Sequence, residues 1–161
     1  MPDVLTHVLI AYAVGAVAVR LTALPDRHLP VVMVGAVMPD VMKATVLLDV
    51  SVGSVSGVPY SFWAVHTLGG VVVLGGLGAL TVRGSDRRVA FLSLLAGGVS
   101  HLFLDLFVIR VDGLAPPYLF PFVGWLPPAG NLYASTDVWP AGVAIAVALL
   151  VWIGRRRTPV R

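Results

Sequence analysis

Five long apolar segments constrain the fold of this chain more than any other feature of its sequence. They cover residues 4–24, 29–48, 62–82, 89–109 and 138–153. About 20 apolar residues in a helix cross the ~30 Å hydrocarbon core of a bilayer. The last segment is shorter, but the chain before it can lengthen it, and Pro140 suits the first turn of a helix. The pattern therefore predicts an all-α, polytopic transmembrane bundle of about five helices.

Composition agrees with a membrane protein, because only 12% of the residues are charged while 58% are hydrophobic. A soluble domain carries roughly a quarter charged residues. No linker, composition shift or internal repeat divides the chain, so we expect one integral membrane domain over residues 1–161. The basic residues are not gathered on any one folded element, which argues against nucleic-acid binding.

The distribution of positive charge predicts the orientation in the membrane, because Lys and Arg beside short connections stay on the cytoplasmic side. Such residues flank the first and third connections and follow the last segment: Arg20, Arg27, Arg83, Arg87, Arg88 and 155–157. The second connection, residues 49–61, has none, and the fourth carries only Arg110. We expect a multi-pass cell-membrane protein with its N-terminus outside and its C-terminus in the cytoplasm. Lys43, in the outer half of the second segment, opposes this orientation.

A histidine and an aspartate interrupt the fourth apolar segment. His101 and Asp105 lie four residues apart, so in a helix both side chains project from one face. Ionisable side chains at membrane depth are costly, and they usually face a protein interior or a wet cavity where they serve a function. The alternative is a hydrogen-bonded pair that only holds the helix against its neighbours.

Three further segments carry an ionisable residue at a similar depth, towards the outer side in the expected orientation. These residues are His7, Asp40 and His66. The chain has no cysteine, so a bound metal must be held by imidazole and carboxylate groups, which zinc accepts. Asp40, His66, His101 and Asp105 provide ligands for one ion. His7 is available for a second ion, with Asp105 bridging the two.

Each of these residues also has a purely structural explanation. Asp40 can pair with Lys43 three residues later, although the proline before Asp40 indicates a broken helix that opens its backbone at a cavity. His7 and His66 can be interfacial residues that hydrogen-bond to the threonines beside them. His28 lies in a charged connection, where we expect it to be solvated.

Two other features bear on the site. Glycine-rich stretches in the third and fourth segments permit close helix packing, which would bring His66 towards His101. The fourth connection, residues 111–137, is rich in proline and in aromatic residues, and Tyr and Trp favour the headgroup level of a membrane. It is expected either to cap the site or to be ordinary interfacial packing.

Several short motifs occur in an order that resembles a known family. They are Thr6-His7, Met38-Pro39-Asp40, His66-Thr67, the run from Ser100 to Asp105, and Leu119-Phe120-Pro121-Phe122. The pattern resembles the YdjM-type inner-membrane proteins, a family of membrane-bound metal-dependent hydrolases, over nearly the whole chain. Its motif order is also similar to that of zinc-dependent phospholipase C enzymes. The resemblance implies a zinc site formed by Asp40, His66, His101 and Asp105, with His7 and Asp105 at a second ion.

Together these features favour a membrane-embedded metal-dependent hydrolase. One or two zinc ions would lower the pKa of a bound water, which would attack a phosphoester of a lipid or lipid-linked substrate at the outer leaflet. Asp40 or Asp105 would act as the general base, and the sequence does not choose between them. Manganese or iron also suits mixed histidine and carboxylate sites. The alternative is a non-catalytic membrane protein whose His/Asp cluster binds or conducts a cation, or fixes helix packing.

Overall fold

The computed structural model describes residues 4–22, 24–48 and 52–157, and this part of the chain forms six α-helices and one β-hairpin. The helices are α1 (Val4–Leu21), α2 (Leu29–Gly35), α3 (Val41–Leu47), α4 (Leu68–Leu80), α5 (Arg87–Asp105) and α6 (Trp139–Arg157). The hairpin pairs β1 (Val52–Val55) with β2 (Val58–Ser61) in antiparallel fashion. Short 3-10 turns cover Asp26–His28, Met38–Asp40, Phe62–His66 and Gly84–Asp86. The fold is mostly helical, as predicted.

Three of the helical stretches are long and apolar enough to cross a membrane: α1, Gly84–Asp105 and α6. The polytopic helical prediction is confirmed, although several segments differ in length from the predicted ones. α4 starts six residues later than its predicted segment because Thr67 caps it, with its Oγ1 accepting from the N–H of Gly70 at 3.3 Å. α5 ends at Asp105 rather than at residue 109, and α6 continues past residue 153 to Arg157.

The second predicted segment is broken into α2 and α3 by a 3-10 turn. Proline lacks the backbone N–H that would continue the helical hydrogen bonds, so Pro39 interrupts them. At the break, the N–H of Asp40 donates to the carbonyl of Val37 at 3.1 Å, whereas an α-helix would pair it with the carbonyl of Ala36. The Ala36 carbonyl is thereby left open to a partner from another helix.

The central helix of the bundle is α5, which packs against α1, α2 and α4, while α1 also packs against α6. Two adjacent glycines allow the helices to approach closely. A Cβ added at Gly97 would collide with the carbonyl oxygen of Val32 in α2, and one at Gly98 would collide with the side chain of Val71 in α4. The predicted contact between the third and fourth segments is confirmed, and the second segment also lies against the fourth.

Ion pairs group several connections at one end of the bundle. Arg27 lies 3.2 Å from Asp86, and Arg155 lies 3.0 Å from Asp26. The first and third connections and the end of α6 therefore meet there, while the start of α1 and the end of α5 lie at the opposite end. The predicted grouping of the basic connections is confirmed. The side of the membrane that each end faces stays a prediction.

Two connections contain ordered structure. In the second connection, residues 52–61 form the exposed hairpin. His28 was expected to be solvated and is instead only 5% exposed. It is buried because the 3-10 turn Asp26–His28 packs against α1, α2 and α5.

The aromatic connection between α5 and α6 folds back over the start of α4. The N–H groups of Leu68 and Gly69 donate to the carbonyls of Tyr118 (2.7 Å) and Phe120 (2.9 Å). The first N–H groups of a helix have no partner within the helix, so this pairing satisfies them. It also holds Tyr118 beside the residues that precede α4.

Candidate metal centre

The five ionisable residues predicted as ligands lie together at one end of the bundle. His7 belongs to the first turn of α1, Asp40 ends the turn between α2 and α3, His66 precedes α4, and His101 and Asp105 lie at the end of α5. His7, His101 and Asp105 are fully buried. His66 is 6% exposed and Asp40 is 7% exposed. They form one buried cluster to which four segments contribute.

Asp105 lies in the middle of this cluster. Its Oδ2 is 2.8 Å from His66 Nε2 and 3.5 Å from His101 Nε2, and its Oδ1 is 3.4 Å from His7 Nε2. The rings of His7 and His101 stack with their centroids 3.7 Å apart. His101 Nε2 is also 3.6 Å from Asp40 Oδ1. The His101 ring nitrogen therefore faces two carboxylates at once.

Backbone carbonyls orient two of the histidines. His101 Nδ1 donates to the carbonyl of Ala36 at 2.7 Å, and His66 Nδ1 donates to that of Pro39 at 3.2 Å. Metal-binding histidines commonly donate one ring N–H to a carbonyl in this way, which leaves the Nε2 lone pair of the neutral ring free. Here each Nε2 faces a carboxylate oxygen. Two lone pairs repel, so this arrangement favours a cation or a proton between them.

Several buried polar atoms of the cluster have no hydrogen-bond partner among the residues that the structure describes. They are both ring nitrogens of His7, Nε2 of His101, and the Oδ1 atoms of Asp40 and Asp105. Such atoms are costly to leave unsatisfied, because burial removes the water that would solvate them. Their separations are 3.4 Å between His7 and Asp105 and 3.6 Å between His101 and Asp40. Tetrahedral zinc with bonds of about 2.0–2.2 Å separates neighbouring ligand atoms by about 3.3–3.6 Å, so these two pairs have the spacing of neighbouring ligands on such an ion.

Among the described residues, two groups of three have ligand atoms close enough together to hold an ion. One is His7, His101 and Asp105, and the other is Asp40, His66 and His101. His101 belongs to both groups, but the Nε2 of a neutral ring has one lone pair and binds one ion. The structure brings all five predicted ligands together. Their division between two ions, with Asp105 bridging, stays a prediction.

Lys43 shares Asp40 with the cluster. Its Nζ donates to Asp40 Oδ2 at 2.6 Å, while Asp40 Oδ1 faces His101. The lysine side chain is 40% exposed and the aspartate side chain only 4%, so Lys43 reaches the carboxylate from the surface. Asp40 can therefore pair with Lys43 and act as a metal ligand at the same time, because the two contacts use different carboxylate oxygens.

A cavity of about 370 Å³, which we call the Arg110 cavity, borders the cluster and is lined by Arg110, His66 and part of the aromatic connection. Arg110 Nη2 donates to the hydroxyl of Tyr118 at 3.3 Å, and the Tyr118 ring lies 5.9 Å from that of His66. Burial, and then the negative charge of Asp105, raise the pKa of Tyr118 to about 12, so its hydroxyl is neutral at physiological pH. In the sequence, Arg110 bears only on the predicted orientation. Its sole sequence signal was being a lone basic residue in an aromatic connection.

Comparison with known proteins finds a match to one family model. The family model described as YdjM inner membrane protein matches residues 1–161, the whole chain. Its description gives the inner membrane as the location. Neither a curated protein nor a solved structure matches the chain. The similarity to the motif order of zinc-dependent phospholipase C stays a prediction.

Proposed function

The chain belongs to the YdjM inner membrane protein family, and on this premise we propose that it is a membrane-embedded, metal-dependent hydrolase of a lipid or lipid-linked phosphoester. One observation supports the proposal most directly. Buried ring nitrogens and carboxylate oxygens without hydrogen-bond partners converge from separate segments of an apolar bundle. Such a cluster is costly unless it binds a cation.

In this proposal His7, Asp40, His101 and Asp105 hold zinc through the atoms that lack other partners. A bound zinc ion supplies a water whose pKa is near 7 and steadies negative charge on a phosphoryl oxygen. Asp105 is favoured over Asp40 as the general base. His66 lines the Arg110 cavity and pairs with Asp105 Oδ2. A proton that Asp105 takes from the water can therefore pass through His66 to the cavity, where the substrate would bind. Asp40 is less suited because Lys43 neutralises it.

A membrane substrate is supported by the depth of the cluster. His7 is in the first turn of α1 and Asp105 is the last residue of α5, so the cluster lies near the ends of two spans. This depth corresponds to the headgroup level rather than to the bilayer centre, where a lipid carries its phosphoester. We propose that this level is on the extracytoplasmic side, because the basic connections lie at the opposite end of the bundle.

A second candidate function is a non-catalytic cluster that binds a cation or fixes helix packing. It is favoured by contacts that partly satisfy the cluster without an ion. Lys43 neutralises Asp40, and a protonated His66 would neutralise Asp105. This candidate requires no substrate and no activated water.

Metal content separates the hydrolase from a packing cluster, and activity separates it from a cation site without catalysis. We would measure zinc, manganese and iron by plasma mass spectrometry in the wild type, in Asp105→Asn and in His101→Ala, each purified without chelator and supplied with metal. The hydrolase proposal expects one to two ions per chain in the wild type and loss from both variants. His28→Asn is the matched control, because His28 is also buried but lies at the other end of α2.

Activity is measured on the same preparations with a short-chain phosphoester lipid. We expect hydrolysis by the wild type and the His28→Asn control, and none by Asp105→Asn. Full metal content in Asp105→Asn would contradict the assigned site. A wild type that takes up no metal would favour the packing cluster.

A further inference from the structure

We propose that the Arg110 cavity binds the anionic head of an amphiphilic ligand, with a phosphate or phosphoester group on Arg110 and an alkyl chain along α4. This inference deepens the proposed function, on which its relevance to hydrolysis rests, but the binding itself requires no metal. Arg110 would be a residue that determines specificity for anionic ligands.

Arg110 forms no ion pair with the other residues that the structure describes. Its Nε is buried and has no hydrogen-bond partner among them. In the described part of the chain, no ion pair involves Arg110, whereas Arg27, Lys43 and Arg155 each pair with a carboxylate. A half-buried cation without an ion-pair partner is costly, so the cavity favours an anion. A guanidinium binds phosphate well because its N–H groups match two phosphate oxygens.

Backbone hydrogen bonds hold Arg110 in position. Its N–H donates to Asn131 Oδ1 at 2.9 Å, and the N–H of Ile109 donates to the carbonyl of Tyr133 at 2.8 Å. The Tyr118 hydroxyl accepts from the Arg110 guanidinium at the same time. The side chain is therefore oriented before a ligand binds, which reduces the conformational entropy lost on binding.

The remaining walls of the Arg110 cavity are mostly apolar. They include Trp63, Ala64, Pro116, Pro117 and Phe120. A volume of about 370 Å³ lies within the range of small-molecule sites, which combine apolar walls with a few polar groups. His66 contributes such a group from the metal centre, so an anion on Arg110 lies beside the proposed reactive site.

A second hollow, of about 300 Å³, lies next to the Arg110 cavity along α4. It shares Ala64, Thr67 and Phe120 with the Arg110 cavity and extends to Val73 and Leu74. This hollow has almost no polar lining, and Val73 faces outward at 61% exposure. Its chemistry suits an alkyl chain entering from the bilayer. The ligand is therefore assigned as an amphiphile rather than a free phosphate ion.

The test is a titration of protein in dodecyl maltoside with octyl phosphate, octanol, octyltrimethylammonium and inorganic phosphate. Binding is followed by tryptophan fluorescence, and Trp63→Phe identifies the part of the signal that comes from the cavity. We expect the wild type to bind octyl phosphate at least 10-fold more tightly than each of the other three probes.

Arg110→Gln is expected to weaken octyl phosphate binding by about 10- to 100-fold, as for loss of a charged hydrogen bond, while octanol binding is unchanged. Arg110→Lys should retain part of the affinity. The matched control is Arg88→Gln, because Arg88 is exposed at the other end of α5 and should have no effect. Unchanged octanol binding also shows that the Gln variant is folded.

Several results would overturn the inference. One is equal affinity of Arg110→Gln and wild type for octyl phosphate. Another is wild-type binding of octyltrimethylammonium as tight as that of octyl phosphate, a comparison that needs no variant. If inorganic phosphate binds as tightly as octyl phosphate, the ligand is not an amphiphile, and a free phosphate ion remains as the ligand.

Chelated protein separates this inference from the proposed hydrolase. Arg110-dependent binding of octyl phosphate after metal removal supports the cavity even if no metal-dependent hydrolysis is found. If hydrolysis depends on metal and Arg110→Gln changes neither KM nor kcat, the hydrolase proposal stands and the proposed ligand site at Arg110 is rejected.

Discussion

The contact between Gly97 and α2 links helix packing to the metal centre, and Gly97→Ala tests that link. A Cβ at this position would collide with the carbonyl oxygen of Val32. Relief of the collision requires α5 and α2 to separate by on the order of 1 Å, given the normal C···O contact of about 3.3–3.6 Å. Overpacking of this kind costs about 1–3 kcal/mol of stability.

The same displacement reaches His101, one helical turn after Gly97. Its Nδ1 now donates to the Ala36 carbonyl at 2.7 Å. A separation of about 1 Å would lengthen this contact to about 3.7 Å, beyond hydrogen-bonding distance. Loss of such a contact behind a metal-binding histidine lowers metal affinity about 10- to 100-fold, or about 1.4–2.8 kcal/mol.

Zinc affinity is measured by competition with a chromophoric chelator in detergent, and stability by thermal unfolding of the same samples. Gly76→Ala is the control, because it lies in the interior of α4 and an added Cβ meets nothing within 4 Å. That variant should keep the zinc affinity and gain about 0.5–1 kcal/mol of stability. Wild-type zinc affinity in Gly97→Ala would refute the proposed coupling.

Three further outcomes are expected. Lys43→Met should raise metal affinity in low-salt titrations, because it removes a cation that competes for Asp40, and should lower the stability of the metal-free protein by about 1–3 kcal/mol, because the buried Asp40 carboxylate loses its partner. Tyr118 has a pKa raised from 10.0 to about 12, so its contribution to stability is full below pH 10 and is lost as the pH rises through 12. Tyr118→Phe should therefore lessen the fall in melting temperature over that range. Chelation should lower the melting temperature, because an ion at 100 times its Kd adds about 2.7 kcal/mol, and no change would favour the packing cluster.

The helices and the ligand cluster were largely predictable from sequence. Apolar length identified the long spans, because a bilayer demands a fixed number of apolar residues. The cluster was predictable because each ligand interrupts an apolar segment, where an ionisable group is conspicuous. The number of residues between each ligand and the nearest charged connection then predicted that His7, His66 and His101 lie at the same end of the bundle.

Features that depend on contacts between distant residues were not predictable. The hairpin of β1 and β2 lies in a connection whose sequence signals only a turn. His28 has charged neighbours, and only the packing of its turn against other helices buries it. The Arg110 cavity depends on hydrogen bonds between the aromatic connection and α4, such as that from Leu68 to Tyr118, which no local pattern encodes.

The break in the second segment has a consequence for biogenesis. The Ala36 carbonyl finds its partner in His101, which is synthesised much later. An unpaired carbonyl is costly away from water, so before α5 enters the bilayer this part of the segment is expected to stay in contact with water. Its native bent form, and with it the gathering of the ligands, therefore belongs to a late stage of membrane assembly.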